Sequence, residues 1–109
     1  MQVTVRLGTA SPSNGFLSSD QINRVVRRNQ SAIGYCYETQ LQRQPSLRGQ
    51  VTIAWTITLS GAVSGARVGS SSLRNTSVEG CVVRVVGRMR FPEPDGGAVQ
   101  VSYPFTFGS

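Results

Sequence analysis

Residues 49–68 have the sequence GQVTIAWTITLSGAVSGARV, and this stretch decides the fold. In its first half five apolar residues alternate with polar or small ones: Val51, Ile53, Trp55, Ile57 and Leu59. This period of two is typical of a strand with one buried face. A Ser-Gly turn and a second, less regular extended segment follow, so the stretch predicts a β-hairpin. If all five apolar side chains are buried, each contributes about 1.5–3 kcal/mol, more than any other segment offers.

A strand is also predicted at each end of the chain. Near the start, residues 2–7 alternate Val3, Val5 and Leu7 with polar side chains. In residues 98–107 the apolar face is formed by Val99, Val101, Tyr103, Phe105 and Phe107. That alternation is a strong strand pattern. Pro104 lies inside this last segment and cannot donate to a ladder, so we expect the last strand to have an open edge.

Two helices are predicted between the strands. The first begins with a capping-box pattern at residues 18–21 and should run to about Arg43, because Pro45 stops it. The second begins near Asn75 or Thr76, at another capping-box pattern. Its buried side is marked by Val78, Cys81, Val82, Val85 and Met89.

The order of elements, an N-terminal β followed by α-β-β-α-β, predicts an α+β fold. A strand, a helix and a further strand make a crossover, so the last strand should lie parallel to the strand before the second helix, with one strand skipped between them. The strand from residue 51 to 59 then becomes the centre of an antiparallel three-stranded sheet with two helices on one face. The N-terminal segment adds a fourth strand if it pairs. A chain of 109 residues forms one domain, in which we assign 1–16 to an N-terminal strand and linker and 17–109 to the main domain.

The charged residues exclude several kinds of active site. The net charge is +6, all eleven basic residues are arginine, and there is no histidine. Without histidine, the chain lacks the commonest acid–base group and the commonest metal ligand. The five acidic residues are scattered, and no motif brings two of them together. We therefore predict no catalytic residues, no cofactor and no metal site.

The two cysteines, Cys36 and Cys81, fall toward the apolar sides of the two predicted helices. Their spacing is not that of a metal site, and no histidine or lysine lies nearby to activate a thiol. Two outcomes remain, a disulfide that joins the helices or two buried free thiols, and we predict the disulfide. A disulfide would contribute about 4 kcal/mol and would indicate an oxidising compartment.

The first helix presents a basic and aromatic face. At about 100° per residue, Arg24, Arg27, Arg28 and Tyr35 fall opposite the apolar side. Such a face is either a solvated helix surface or a contact surface for an acidic or planar partner group.

A set of short motifs, in this order and spacing, carries a family resemblance. They are Tyr35-Cys36-Tyr37-Glu38, Gly49-x-Val51, Gly61-x-Val63, Val68-x-Ser70-Ser71, Glu79-Gly80-Cys81, Arg90-Phe91-x-x-Pro94 with Gly96, and Ser102-Tyr103-Pro104-Phe105. The chain from Leu17 to Phe107 resembles the C-terminal domain of TonB-type energy transducers, and more closely the AgmX/PglI C-terminal domains of gliding-motility envelope proteins. The segment from 17 to 109 is thus expected to be a TonB-like C-terminal domain.

The resemblance implies a monomeric, non-catalytic periplasmic module of a protein anchored in the inner membrane. It would transmit energy or force by binding an outer-membrane or periplasmic protein, whose extended, TonB-box-like segment adds as a strand to the free edge of the sheet. Carried onto this chain, that edge strand comprises Val99, Gln100, Val101, Ser102, Tyr103, Phe105 and Phe107. An exposed strand edge is a physical template for such addition. A strand at residues 3–7 would instead occupy this edge in cis.

Two departures from the family pattern limit what transfers. The Tyr-Pro segment that precedes the first helix in many TonB domains has no match, and Met89 stands where tryptophan is frequent. Two other functions fit part of the sequence. The charge of +6 suggests a small nucleic-acid-binding domain, although the chain lacks the Gly-x-x-Gly loop and base-stacking strand motifs, so we predict no nucleic-acid partner. A structural spacer in contact with peptidoglycan would keep the fold without a strand-accepting edge.

Overall fold

A computed structural model describes residues 4–108. It confirms the predicted α+β class and the antiparallel sheet, with five strands and three helices where fewer were expected. In chain order the elements are β1 (Thr4–Leu7), β2 (Ser11–Pro12), α1 (Ser19–Arg28), α2 (Gln30–Leu41), β3 (Gly49–Ile57), β4 (Val63–Ser71), α3 (Thr76–Gly87) and β5 (Val99–Gly108). Val3, part of the predicted N-terminal strand, lies outside the described residues.

The sheet has the order β1-β5-β3-β4, and β2 also pairs with β5. Both β4 and β5 run antiparallel to β3, so β4 and β5 are parallel to each other and β3 lies between them. This is the predicted crossover with one strand skipped. The pairing of β3 with β5 is regular along its whole length, from Gly49 opposite Phe107 to Ile57 opposite Val99. The two strands with the strongest alternation therefore form the middle of the sheet.

The core lies between the sheet and the helices. The four inward residues of β3, from Val51 to Ile57, are at most 1% exposed. Leu59 was expected to join them but is 64% exposed. The reason is a tight turn that starts directly after the strand, in which Thr58 donates to the Ala62 carbonyl and Gly61 donates to the Thr58 carbonyl. The alternation in the sequence thus runs on past the end of the buried strand.

The predicted first helix is divided into α1 and α2 at Asn29. The Asn29 amide side chain donates to the Val25 carbonyl at 2.9 Å, and its backbone N–H donates to the Val26 carbonyl at 3.0 Å. Asparagine competes for backbone groups in this way, which is why it disfavours helix interiors. The expected start is confirmed, since Ser18 and Gln21 form a complete capping box. One long helix was therefore the wrong prediction, although its beginning was right.

The third helix differs from the prediction at its cap. Asn75 is the N-cap, and its side-chain oxygen accepts from the Val78 N–H at 2.9 Å. The Glu79 carboxylate accepts from the Ser71 hydroxyl at 2.7 Å, so it ties the helix to β4. On the buried side Val78, Val82 and Met89 are fully packed, whereas Cys81 and Val85 are only partly buried.

A disulfide joins α2 to α3. Cys36 and Cys81 are bonded, with 5.6 Å between their α-carbons and 45 residues between them in the chain. The prediction of a staple between the helices is confirmed. In the chain-entropy model, closing a loop of this length stabilises the fold by about 4 kcal/mol.

Residues 4–108 contain neither a membrane-spanning helix nor a cluster of metal ligands. None of the helices is both long enough and apolar enough to cross a membrane. Among the same residues, no group of three or more histidine, cysteine or acidic side chains is placed to hold a metal ion.

Candidate functional site

The strand β5, predicted to be an open edge, is paired on both sides. Beyond β3, its other side pairs with β1, where Val5 lies opposite Phe107, and with β2, where Ser11 lies opposite Ser102. The expectation of an open edge is therefore wrong for this structure, and the alternative of a strand bound in cis is the arrangement observed. Of the seven predicted edge residues, the five apolar ones point into the core under the helices, while Gln100 and Ser102 lie on the other face.

Pro104 is accommodated inside the sheet by a tyrosine hydroxyl. Gly8 donates its N–H to the Pro104 carbonyl at 3.0 Å. An ordinary residue at 104 would return a bond to the Gly8 carbonyl, but proline has no N–H. The Tyr103 hydroxyl donates to that carbonyl instead, at 3.0 Å. Burial raises the pKa of the Tyr103 phenol, while the nearby positive charge of Arg27 acts in the opposite direction. The rule that proline marks an edge failed because a side chain supplies the missing donor.

The segment between β1 and α1 is held by hydrogen bonds to α1 and β5 and by the packing of Phe16. The Ala10 N–H donates to the Asn23 side chain at 3.0 Å. Ser13 donates its N–H to the Gln100 carbonyl at 2.8 Å and accepts the Gln100 N–H on its hydroxyl at 3.0 Å. The ring of Phe16 packs on Gly96 so closely that a β-carbon added there would lie 2.8 Å from the ring. Residues that were interpreted as a linker thus form part of the folded unit.

The outer edge of β4 is poorly suited to further pairing. Its register against β3 shifts twice, between Thr52 and Ile53 and between Ala54 and Thr56. At each shift β4 has one residue more than β3. The additional residue is Gly69 at the first shift and either Gly65 or Ala66 at the second, and Gly65 has a φ of 65°. Bulges of this kind bend and twist a strand, which is how natural sheets block their edges.

The outer edge of β2 is also blocked. Because Ser13 donates to β5, the backbone groups of Pro12 face away from β5. Proline has no donor to offer there, so this edge lacks one of the groups that a new strand needs.

The outer edge of β1 has neither a bulge nor a proline. Gly8 and, by alternation, Arg6 direct their backbone groups to β5, so those of Val5 and Leu7 point away from it. The Val5 carbonyl accepts from the Gln30 side chain at 3.1 Å. The N–H groups of Val5 and Leu7 and the Leu7 carbonyl face the same side. Of the outer edges formed by residues 4–108, this one is the best template for another strand.

A groove runs beside this edge, between β1 and the helices. It consists of a cleft of about 520 Å³ that includes Val5, Arg27, Gln30 and Tyr35, and one of about 240 Å³ that includes Leu7 and Arg27. Arg27 lines both, so the clefts adjoin at its side chain. We call this the edge groove.

The edge groove divides the predicted helix contact face. Arg27 and Tyr35 line it, and Tyr35 is 65% exposed. Arg24 and Arg28 are exposed but belong to neither cleft. Sequence reasoning missed Gln30, because a polar residue on a helix gives no sign that it reaches a strand edge. All four residues of the predicted face are exposed, but only two of them lie beside β1.

The comparisons with known proteins found one weak similarity. The tyrosine-protein kinase MasK of Myxococcus xanthus (strain DK1622) is 33% identical over 91 residues, which make up 84% of this chain and 14% of the kinase. The chain is thus similar to a small part of that protein. No family model and no solved structure matches the chain.

Proposed function

We propose that this chain is a non-catalytic protein-interaction module, which binds an extended segment of a partner protein as an added strand. The observation that carries the proposal is the outer edge of β1. Its outward backbone groups face a groove beside α1 and α2, whereas β2 and β4 have blocked edges. A groove between a strand edge and a helix suits strand addition, because the backbone supplies affinity and the groove selects side chains.

The cellular setting comes from two lines of support. The disulfide between Cys36 and Cys81 favours an oxidising compartment, which agrees with a periplasmic domain. The resemblance to gliding-motility envelope domains supplies the rest of the proposal: a parent protein anchored in the inner membrane, an outer-membrane partner, and the transmission of force or energy between them.

The similarity to a kinase does not extend to kinase chemistry. The kinase signature includes a lysine that contacts the ATP phosphates and a histidine in the catalytic loop. This chain contains no lysine and no histidine. Kinase activity is therefore not part of the function that we propose for this chain.

The added strand would pair with β1 at Val5 and Leu7. Gln30 already shows that the Val5 carbonyl accepts a donor from this side, and an N–H of the partner would replace the Gln30 amide. Arg27 and Tyr35 would contact the partner's side chains from the groove. Each backbone bond contributes about 0.5–1.5 kcal/mol net, so a four-residue edge predicts a modest affinity that the side chains must raise.

A second geometry has one observation in its favour. Pro104 cannot donate a backbone N–H to Gly8, directly after β1, and at that point a side-chain hydroxyl replaces one bond of the ladder. A partner segment would then replace β1 and pair with β5 itself, along the originally predicted edge from Val99 to Phe107. In this geometry the N-terminal segment competes with the partner.

The test is a titration of the ¹⁵N-labelled chain with extended peptides from candidate outer-membrane proteins. We expect amide shifts at Val5, Leu7, Gln30 and Tyr35. Leu7→Pro removes an outward N–H without removing a bond to β5, and Leu7→Ala is its matched control because it keeps that N–H. Loss of one backbone bond predicts about 2- to 10-fold weaker binding for Leu7→Pro relative to Leu7→Ala. Equal binding by the two variants, or shifts confined to β4, would contradict the proposal.

The peptide titration, together with a nucleic-acid retention assay at low and high salt, separates the alternative functions. A nucleic-acid-binding domain would retain DNA or RNA at low salt and lose it steeply as salt rises, with shifts spread over the arginines. A pure spacer would show no shifts in the edge groove with any peptide.

A further inference from the structure

A separate cleft of about 810 Å³ lies where the loop before β3 meets the ends of β1 and β5. Arg6 enters it from β1, Arg48 from the loop, and Thr106 from β5. Neither aspartate nor glutamate is among the residues that line it. Among the residues that the structure describes, the cleft is therefore lined by two arginines and a threonine and by no carboxylate side chain.

The loop that carries Arg48 is held in place from several sides. The Tyr37 hydroxyl donates to the Leu47 carbonyl, and the Leu47 side chain is buried. Leu47 donates its own N–H to the Gln44 carbonyl at 3.0 Å. The Gln44 side chain in turn accepts from Asn75 at 2.7 Å. A fixed backbone reduces the entropy that a ligand must overcome when it binds.

The cleft continues onto the face of the sheet that no helix covers. On this face β3 and β5 present only threonine, serine, glutamine, alanine and proline side chains, among them Gln50, Thr52, Ser102 and Thr106. The described residues of these two strands place no acidic side chain and no aromatic ring there. The Gln50 amide donates to the Thr106 hydroxyl at 3.2 Å, so the polar row begins at the cleft.

From these features we infer that the cleft and the adjoining polar row bind a carboxylate-bearing polysaccharide. Arginine matches a carboxylate with two parallel hydrogen bonds. The hydroxyl and amide side chains suit sugar hydroxyls. Because the described residues of β3 and β5 place no ring on this face for a sugar to stack on, the charges must provide the selectivity, and a neutral polysaccharide lacks the group that the arginines recognise.

The ligand must be a polymer for the binding to be appreciable. An exposed arginine–carboxylate pair contributes only about 0.2–1 kcal/mol. A single acidic sugar would therefore bind weakly, while a chain with repeated carboxylates gains from simultaneous contacts at Arg6 and Arg48. This inference does not depend on the proposed strand addition, since the edge groove and this cleft share no lining residue.

The test compares three probes with the whole chain at low salt: polygalacturonate, neutral dextran and poly-L-glutamate. We expect polygalacturonate to bind and to shift the signals of Arg6, Arg48, Gln50 and Thr106, dextran to give no shifts, and poly-L-glutamate to bind more weakly. No binding of polygalacturonate would overturn the inference. Equal affinity for poly-L-glutamate would also overturn the inference. The site would then recognise negative charge without distinguishing a polysaccharide from an acidic polypeptide.

A matched pair of variants localises the effect. Arg48→Gln removes a charge from the cleft, and Arg43→Gln removes one from an exposed residue just before it that does not line the cleft. We expect about 2- to 5-fold weaker binding of polygalacturonate for Arg48→Gln and little change for Arg43→Gln. An equal loss for both would show that only net charge matters and would overturn the inference.

Discussion

Replacing Tyr103 with phenylalanine tests the way in which β5 tolerates a proline. The hydroxyl of Tyr103 is the donor to the Gly8 carbonyl, at the place where Pro104 cannot donate. Tyr103→Phe keeps the ring and its packing but leaves this partly buried carbonyl without that donor. An acceptor deprived of its partner costs about 1–3 kcal/mol. We expect a value near 1–2 kcal/mol, because the bond is only part-buried.

A double-mutant cycle makes the prediction specific. Pro104→Ala restores a backbone N–H that faces Gly8, so Tyr103→Phe should destabilise the Pro104→Ala chain less than the original chain. Urea unfolding gives the free energies. A loss of 1 kcal/mol also lowers Tm by roughly 4–8 °C in a domain of this size. Tyr35→Phe is the control. It removes a hydroxyl from an exposed tyrosine, so the free energy of unfolding should change by less than about 0.5 kcal/mol. The same cost for Tyr103→Phe in both backgrounds would refute the reasoning.

Three further predictions concern stability. Replacing Cys36 and Cys81 together with alanine should lower the free energy of unfolding by about 4 kcal/mol, measured by urea unfolding, and a reductant should lower the Tm of the original chain. Burial raises the folded-state pKa of the Tyr103 phenol above its unfolded value. The neutral phenol therefore stabilises the fold at neutral pH, and this contribution is lost as the pH rises through the folded-state pKa. We expect Tyr103→Phe to flatten the decline of Tm at alkaline pH. Gly96→Ala should destabilise by more than 1 kcal/mol in thermal unfolding, because Gly96 has a φ of 122° and its new β-carbon would meet the Phe16 ring.

Each of these has a contradicting result. Gly15→Ala is the matched control for Gly96→Ala, because a β-carbon at position 15 meets nothing within 4 Å. Equal Tm values for the two variants would contradict the prediction that the close packing of Phe16 on Gly96 contributes to stability. A Tm that does not respond to reductant would contradict the disulfide. An unchanged alkaline decline in the Tyr103→Phe chain would show that another group causes it.

The main strands could be predicted because their alternation is produced by the core itself. Val51 to Ile57 and Val99 to Phe107 alternate since one face of each strand packs under the helices. The same pattern misplaced Leu59, because a period of two says nothing about where a turn begins. The helix boundary at Asn29 was missed for a similar reason, since a single side-chain bond to Val25 decides it and the apolar period continues beyond it.

The candidate site was harder to predict because it depends on contacts between distant residues. Pro104 correctly marked a missing donor, but the hydroxyl that replaces it and the carbonyl that receives it are 95 residues apart. Sequence also gave no reason to join Arg27 and Tyr35 to Val5, which only the fold brings to one groove. The disulfide could be predicted because both cysteines fall toward the apolar sides of their helices, although the same pattern also fits two free thiols.

The position of the partner strand is the central claim, and a covalent lock tests it most directly. Arg6 and Thr106 are directly opposite on β1 and β5, at a hydrogen-bonded pair where α-carbons lie about 5.5 Å apart, within the range of a disulfide. In a chain with Arg6→Cys and Thr106→Cys, oxidised and confirmed by intact mass, β1 cannot leave β5. If the partner segment adds to the outer edge of β1, its affinity for the locked chain will equal that for the original. A loss of binding in the locked chain would contradict the account and show that the partner replaces β1.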